Sequence, residues 1–265
     1  MKNIPPLKEL RRVASKQSTN GFLNPLCDYL AFYPAKIFLY LPFNPVQITV
    51  IWILIKIATA LLMASGTYFL TVIALLIFQL ASILDGVDGI VARYRQDYSY
   101  NGIYLDYVGH YFCNSLLLIT LGIGTYNQTG NALALVIAVF SALVFLLTKA
   151  ITMNGIWVSN PDMRKEMENI VYGEQFSMKS QQNRIVACIT DLFLMDNPLN
   201  FMFWGVLAGY FFSNAWLITL VVYAIILTLE LGRRLFLQYW RIKKHELRKK
   251  QQQRQEHDNQ EQQKA

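Results

Sequence analysis

The chain has 265 residues, 54% of them hydrophobic and only 15% charged, with a mean hydropathy of +0.29; an ordinary soluble domain carries about 25% charge, so the composition argues against a soluble enzyme. The net charge of +7 belongs to the ends: residues 1–20 carry five Lys/Arg against one Glu, residues 241–265 carry eight against four acids, and everything between nets −1. Basic ends around an apolar middle suit anionic lipid headgroups and not a nucleic-acid groove, which needs its basic residues on one folded face, so no nucleic-acid partner is expected.

Taken in chain order, residues 1–44 form a basic segment with no apolar run and small-residue cleavage site of a secretory signal. Within it, Phe22 to Leu41 is rich in aromatic and aliphatic residues but carries Pro25 and Pro34 and is closed by Pro42, which predicts an interfacial helix rather than a span. Six stretches then have the length and apolarity to cross a bilayer, about 17–25 residues each: Val46 to Ser65, Tyr68 to Arg93, Ile103 to Tyr126, Ala132 to Met153, Pro198 to Phe212, and Ala215 to Tyr239. The fold class expected is all-α, a polytopic membrane domain over 45–240. Residues 241–265 make a basic, Gln-rich tail, helical at first and disordered at its end.

Lys and Arg lie in residues 1–44, 93–101, 154–197 and the tail from Arg233, and are missing from Gly66–Thr67, Asn127–Asn131 and Ser213–Asn214. Because cytoplasmic connections retain positive charge, both termini and the basic connections are expected in the cytoplasm, in the cell or inner membrane if the source is bacterial. The long stretch 154–197 is a candidate cover for a site. Cys27, Cys113 and Cys188 are far apart and read as small apolar residues. Trp204, Trp216 and Trp240 read as interface aromatics.

The chemistry concentrates between Asp85 and His110, in DGVDGIVARYRQDYSYNGIYLDYVGH. Asp85 and Asp88, at i and i+3, share one face of the second span; Asp106 and His110, at i and i+4, share one face of the third. Consecutive antiparallel helices bring two such pairs to the same depth. Intramembrane carboxylates are costly and normally face the bundle interior with a partner, and a divalent cation is the natural partner here. Aspartate oxygens suit Mg²⁺ or Mn²⁺, ions that neutralise phosphate oxygens in phosphoryl transfer. Arg93 adds a guanidinium fork suited to phosphate, Gly86, Gly89, Ala92 and Gly102 leave helix surface nearly bare, and Ser99 offers a hydroxyl between the helices. Together they outline a pocket for a metal-bound pyrophosphate with room for a nucleotide.

The same stretch resembles the signature of the CDP-alcohol phosphotransferases, D-x-x-D-G-x-x-A-R-x8-G-x-x-x-D-x-x-x-D, at Asp85, Asp88, Gly89, Ala92, Arg93, Gly102 and Asp106. The eighth position holds His110 instead of Asp. Where the family often has T-P-N-x-L-T, this chain has N-P-V-Q-I-T from Asn44 to Thr49, so that Val46 stands in place of Asn. The resemblance implies a homodimer in the lipid bilayer that transfers a substituted phosphate group from a CDP-alcohol donor to a hydroxyl acceptor and releases CMP. It implies that Asp85, Asp88 and Asp106 hold two divalent ions and that Gly89, Arg93 and Ser99 contact the CDP moiety, with Gly102 beside them. It also makes the eighth position the proton acceptor.

His110 can fill that role, since an imidazole with ordinary pKa near 6.5 is poised at neutral pH, and it is a poorer Mg²⁺ ligand than a carboxylate. Exchanging an oxygen ligand for nitrogen shifts preference toward Mn²⁺ or weakens one ion. The alternatives are an interior histidine in a non-catalytic CDP-binding protein and, more remotely, a transporter. Lys56 lies in the middle of the first span, where a structural partner and a phosphate contact are equally open; Lys149 reads as an inner-boundary anchor, and Glu230, Arg233 and Arg234 are similarly ambiguous. Arg95 reads as a positive-inside residue and Asp97 as loop surface.

Overall fold

The computed structural model describes residues 4–15, 23–159, 192–193, 195 and 199–264, all helix, turn or coil without a strand. Two helices precede the first long apolar run, α1 (Leu7–Ala14) and α2 (Leu23–Tyr40), the second continuing through Pro34. Next come α3 (Pro45–Met63), α4 (Tyr68–Arg95), α5 (Tyr100–Thr129) and α6 (Leu133–Ser159), followed by α7 (Phe201–Ala208) and α8 (Ala215–Lys264).

Local sequence sets the helix starts nearest the site. Asn44 accepts a hydrogen bond from the Gln47 N–H at 2.8 Å while Gln47 Oε1 accepts from the Asn44 N–H at 3.0 Å, a reciprocal cap followed by Pro45 in the first turn. Ser99 caps α5 by accepting from the Gly102 N–H at 3.4 Å. Between these helices Gln96 ends α4 in the left-handed conformation.

Among the described residues, five helices are long and apolar enough to cross a membrane: α3, α4, α5, α6 to Thr152 and α8 to Trp240. The chain is an all-helical integral membrane protein. Among the described residues of the sixth predicted span, Pro198 to Phe212, the helix is the eight-residue α7, about 12 Å long at 1.5 Å per residue, against a hydrocarbon core of about 30 Å. Asn200 caps α7 through the Phe203 N–H, and turns follow it from Gly209. The predicted cover, 154–197, lies largely outside the described residues, as does Cys188.

In the bundle, α3 packs on α4 and α5, α5 on α6, and α6 on α8, with α7 against α4 and α8. Trp52, Phe78, Leu117, Leu118, Trp216 and Tyr223 fill one buried core. Trp216 is therefore not an interface aromatic: it is fully buried and its indole N–H donates to the Val206 carbonyl at 3.1 Å. Leu54, Leu80, Leu143 and Leu229 stay exposed on outer faces, as a lipid-facing surface requires.

A second core joins α1 and α2 to α4 through Leu10, Ala14, Ala31, Ala35, Val87 and Val91. The Arg11 guanidinium stacks 3.8 Å above the Tyr29 ring and reinforces α1 on α2. Arg95 does more than carry positive charge: it donates to the carbonyls of Phe38, Leu39, Leu41 and Phe43, gathering the acceptors at the end of α2 and in the turn after it. At the other side of the bundle, Glu230 accepts from both Arg233 and Arg234, and Arg234 reaches the Thr152 hydroxyl at 2.6 Å, tying α8 to α6. Helix α8 continues to Lys264 where a disordered end was expected. Residues 241–264 contain no Gly or Pro and are mostly Gln, Lys, Arg and Glu, all good helix formers.

Candidate active site

Helix length places the carboxylates favourably. At 28 and 30 residues, α4 and α5 run about 42 and 45 Å, longer than the roughly 30 Å hydrocarbon core, so their polar ends can reach the headgroup level. The end of α4 and the start of α5 form, with α2 and α3, a pocket of about 420 Å³, within the usual range for small-molecule sites. All eight residues singled out in the sequence line it: Asp85, Asp88, Gly89 and Arg93 from α4, Ser99 from its turn, and Gly102, Asp106 and His110 from α5.

Three of them converge. His110 Nε2 lies 3.2 Å from Asp85 Oδ2 and 3.6 Å from Asp106 Oδ1, and one donor atom from each residue falls within 4.8 Å of the others. Two carboxylates and an imidazole are a donor set for a divalent cation, with more nitrogen character than a set of aspartates. Asp88 is held differently. Its Oδ2 accepts from the Thr49 hydroxyl at 2.6 Å and the Trp52 indole N–H at 3.2 Å, and its Oδ1 from the Gly89 N–H at 2.5 Å. An ionised carboxylate offers about four acceptor positions, so three donors orient the group and leave one position on Oδ1.

The spacing of Gly89 and Arg93 has a direct steric reason. A Cβ on Gly89 would lie 3.0 Å from Arg93 Nη1, so the guanidinium rests over the bare helix turn. Its Nε donates to the Ala14 carbonyl at 2.7 Å, at the end of α1. Gly86 serves packing, since its Cβ would meet Ala31 Cβ of α2 at 3.0 Å. Val46 stands 3.4 Å from the position of a Gly102 Cβ; the place where the related pattern carries Asn is an apolar wall.

Several lining residues were not singled out in the sequence as part of this site: Cys27 and Asp28 from α2, Thr49 from α3, and Asp97 from the turn. Trp52 and the Ala14 carbonyl act from just behind the wall. One signal was available: Thr49, Trp52 and Lys56 recur at helical spacing on an otherwise apolar span, marking an inward face. Lys56 is fully buried, with Nζ 4.6 Å from the Trp52 ring centroid and 5.2 Å from that of Phe78. Lys149 Nζ lies 5.3 Å from the Phe145 ring and 5.9 Å from that of Tyr111.

No curated protein matches the chain. Residues 42–221, more than half of it, match the family described as CDP-alcohol phosphatidyltransferase, and they include both helices that carry the converging carboxylates and histidine. The chain belongs to the CDP-alcohol phosphatidyltransferase family.

Proposed function

We propose that the protein transfers a substituted phosphate group from a CDP-alcohol, such as CDP-diacylglycerol, to a hydroxyl acceptor, releasing CMP in the synthesis of a phospholipid or related phosphodiester. The observation that carries this is the convergence of Asp85, Asp106 and His110 in a pocket that also holds Arg93 and Gly89, in a chain of this family.

Asp85 and Asp106 hold Mg²⁺ or Mn²⁺, with Asp88 as a further carboxylate and His110 at the edge of the set. The ion supplies neutralisation of charge on the pyrophosphate. Arg93 presents a fixed cation to the phosphates, while Gly89, Ser99 and Gly102 line the space for the CDP moiety. His110 accepts the proton of the attacking hydroxyl at Nε2. Its Nε2, 3.2 Å from Asp85 Oδ2 and 3.6 Å from Asp106 Oδ1, lies where the candidate metal ligands meet, which supports this. The site faces the cytoplasm: Arg93, Arg95 and α1 lie at its end of the bundle, and the turns at the other end lack Lys and Arg.

The test is CMP release by purified protein offered CDP-diacylglycerol and other CDP-alcohols with a lipid and polyol extract, in Mg²⁺ or Mn²⁺, with Asp106→Ala as control. CMP released by the wild type alone supports the reading, and the mass of the new product identifies the acceptor. No release with any donor, acceptor or metal tried counts against it and favours a CDP-binding protein.

A further inference from the structure

We propose that Trp52 is a positioning residue of this site, whose indole fixes the Asp88 carboxylate and the His110 imidazole relative to each other. The proposal rests on the transferase reading for its kinetic consequence, and on geometry for the rest.

Trp52 is fully buried on α3. Its polar edge donates to Asp88 Oδ2 at 3.2 Å, beside the Thr49 hydroxyl at 2.6 Å. With the Gly89 N–H on Oδ1, the carboxylate is gripped from two helices, and its remaining acceptor position has a set direction. The indole also packs on the histidine, with ring centroids 5.2 Å apart and planes at 40°. A histidine χ2 torsion is intrinsically broad; a rigid ring against one side narrows it and holds Nε2 toward Asp85 and Asp106.

The indole itself has little room to turn. Lys56 Nζ lies 4.6 Å from its ring centroid, an attractive cation–aromatic contact. On α5, a Cβ at Gly109 would fall 2.6 Å from Ile53 Cδ1 and 2.7 Å from Trp52 Cη2, so the glycine makes room for both side chains. A bare backbone next to His110 is thus what lets the indole lie against α5. One side chain spans α3, α4 and α5 at the point where the candidate ligands meet, as outer groups do when they orient the ligands of a metal site.

The experiment compares Trp52→Phe, Thr49→Val and Phe78→Leu in purified protein, reading Mn²⁺ binding by electron paramagnetic resonance, CMP-release kinetics and thermal stability. Trp52→Phe keeps a ring but removes the donor; Mn²⁺ affinity and kcat are each expected to fall about tenfold, with KM for the CDP-alcohol within about twofold of wild type. Thr49→Val is expected to weaken Mn²⁺ binding in the same direction, and the double variant to lose less than the product of the two, because both donors serve Oδ2. Phe78→Leu thins the same core beside Lys56 but contacts none of the candidate ligands, so it should lower the Tm and leave Mn²⁺ affinity within about twofold of wild type.

Wild-type Mn²⁺ binding and kcat in Trp52→Phe overturn the proposal, as does an equal loss in Phe78→Leu at the same Tm. Should Trp52→Phe fail to fold, Gly109→Ala is compared within an Ile53→Ala background, where of these two neighbours its Cβ presses on Trp52 alone and the indole N–H is kept; losses relative to Ile53→Ala are expected in the same direction, and unchanged binding and turnover overturn the proposal. A wild type that binds Mn²⁺ but releases no CMP refutes the transferase reading alone, and Trp52 is then judged by Mn²⁺ binding. A wild type that binds no Mn²⁺ overturns both.

Discussion

Arg93 Nε donates to the carbonyl oxygen of Ala14 at 2.7 Å, joining an arginine of the signature to the last residue of the N-terminal helix. Ala14 and all of α1 lie before the family-matched region, which begins at residue 42. Two supports of the pocket thus come from outside that region: α1 steadies the arginine from behind the wall, and α2 contributes Cys27 and Asp28 to the lining. Removing residues 1–15 should leave α3 to α8 helical but free the guanidinium. We expect KM for the CDP-alcohol to rise about tenfold, measured beside far-ultraviolet circular dichroism showing little lost helix.

Gly89→Ala offers a test with opposite signs for stability and function. Alanine favours a helix interior over glycine by about 1 kcal/mol, so the Tm should hold or rise. Its Cβ falls 3.0 Å from Arg93 Nη1, so the guanidinium must give by a few tenths of an ångström while its Nε stays tethered to Ala14. CDP-alcohol affinity should drop by about fivefold, read from KM or from competition by CMP.

Asp85 and Asp106 are expected to be indispensable. Asp85→Asn or Asp106→Ala should lower CMP release by about a hundredfold or more, the scale of several kcal/mol of lost charge stabilisation. Chelator treatment of the wild type should do the same and be reversed by Mg²⁺ or Mn²⁺. Full activity in a chelator would refute metal dependence.

His110 separates two roles that compete for one atom, since Nε2 is the nitrogen facing both carboxylates. As the base, His110→Ala should cost about 10² to 10⁴ in kcat and leave Mn²⁺ affinity nearly intact. As a ligand, it should weaken Mn²⁺ binding in step with the rate. His110→Asp, which restores the eighth carboxylate of the signature, is expected to keep turnover and shift metal preference toward Mg²⁺. An alanine variant with full activity excludes both roles.

Arg95→Ala tests the fold and not the chemistry. It removes the donors to four carbonyls around the end of α2, which should lower stability by about 2 kcal/mol, seen as a reduced Tm in detergent. Because Arg95 itself does not line the pocket and its partners lie at the far end of α2 from Cys27 and Asp28, kcat should change less than the Tm.

Much of this protein was legible along the chain because the membrane leaves few choices. Backbone groups in lipid must pair within helices, so α3, α4, α5, α6 and α8 follow from the lengths of the apolar runs. The spacing of Asp85, Asp88, Asp106 and His110 likewise follows from helical periodicity, which puts each pair on one face. The same reasoning predicted a sixth span at Pro198 to Phe212, where composition matched but the described helix is only eight residues long; hydropathy does not register where a helix stops.

Only tertiary packing decided which face met which partner. It turned Asp88 toward Thr49 and Trp52 while Asp85 and Asp106 closed on His110. It buried Trp216, though an interface aromatic has the same local composition, and gave Arg95 and Arg93, two residues apart, separate carbonyl partners on α2 with its following turn and on α1. Local sequence fixes periodicity and caps because those depend on neighbours within a turn. Contacts between residues 39 or 79 positions apart depend on how the helices cross, and that is set by the whole packed bundle.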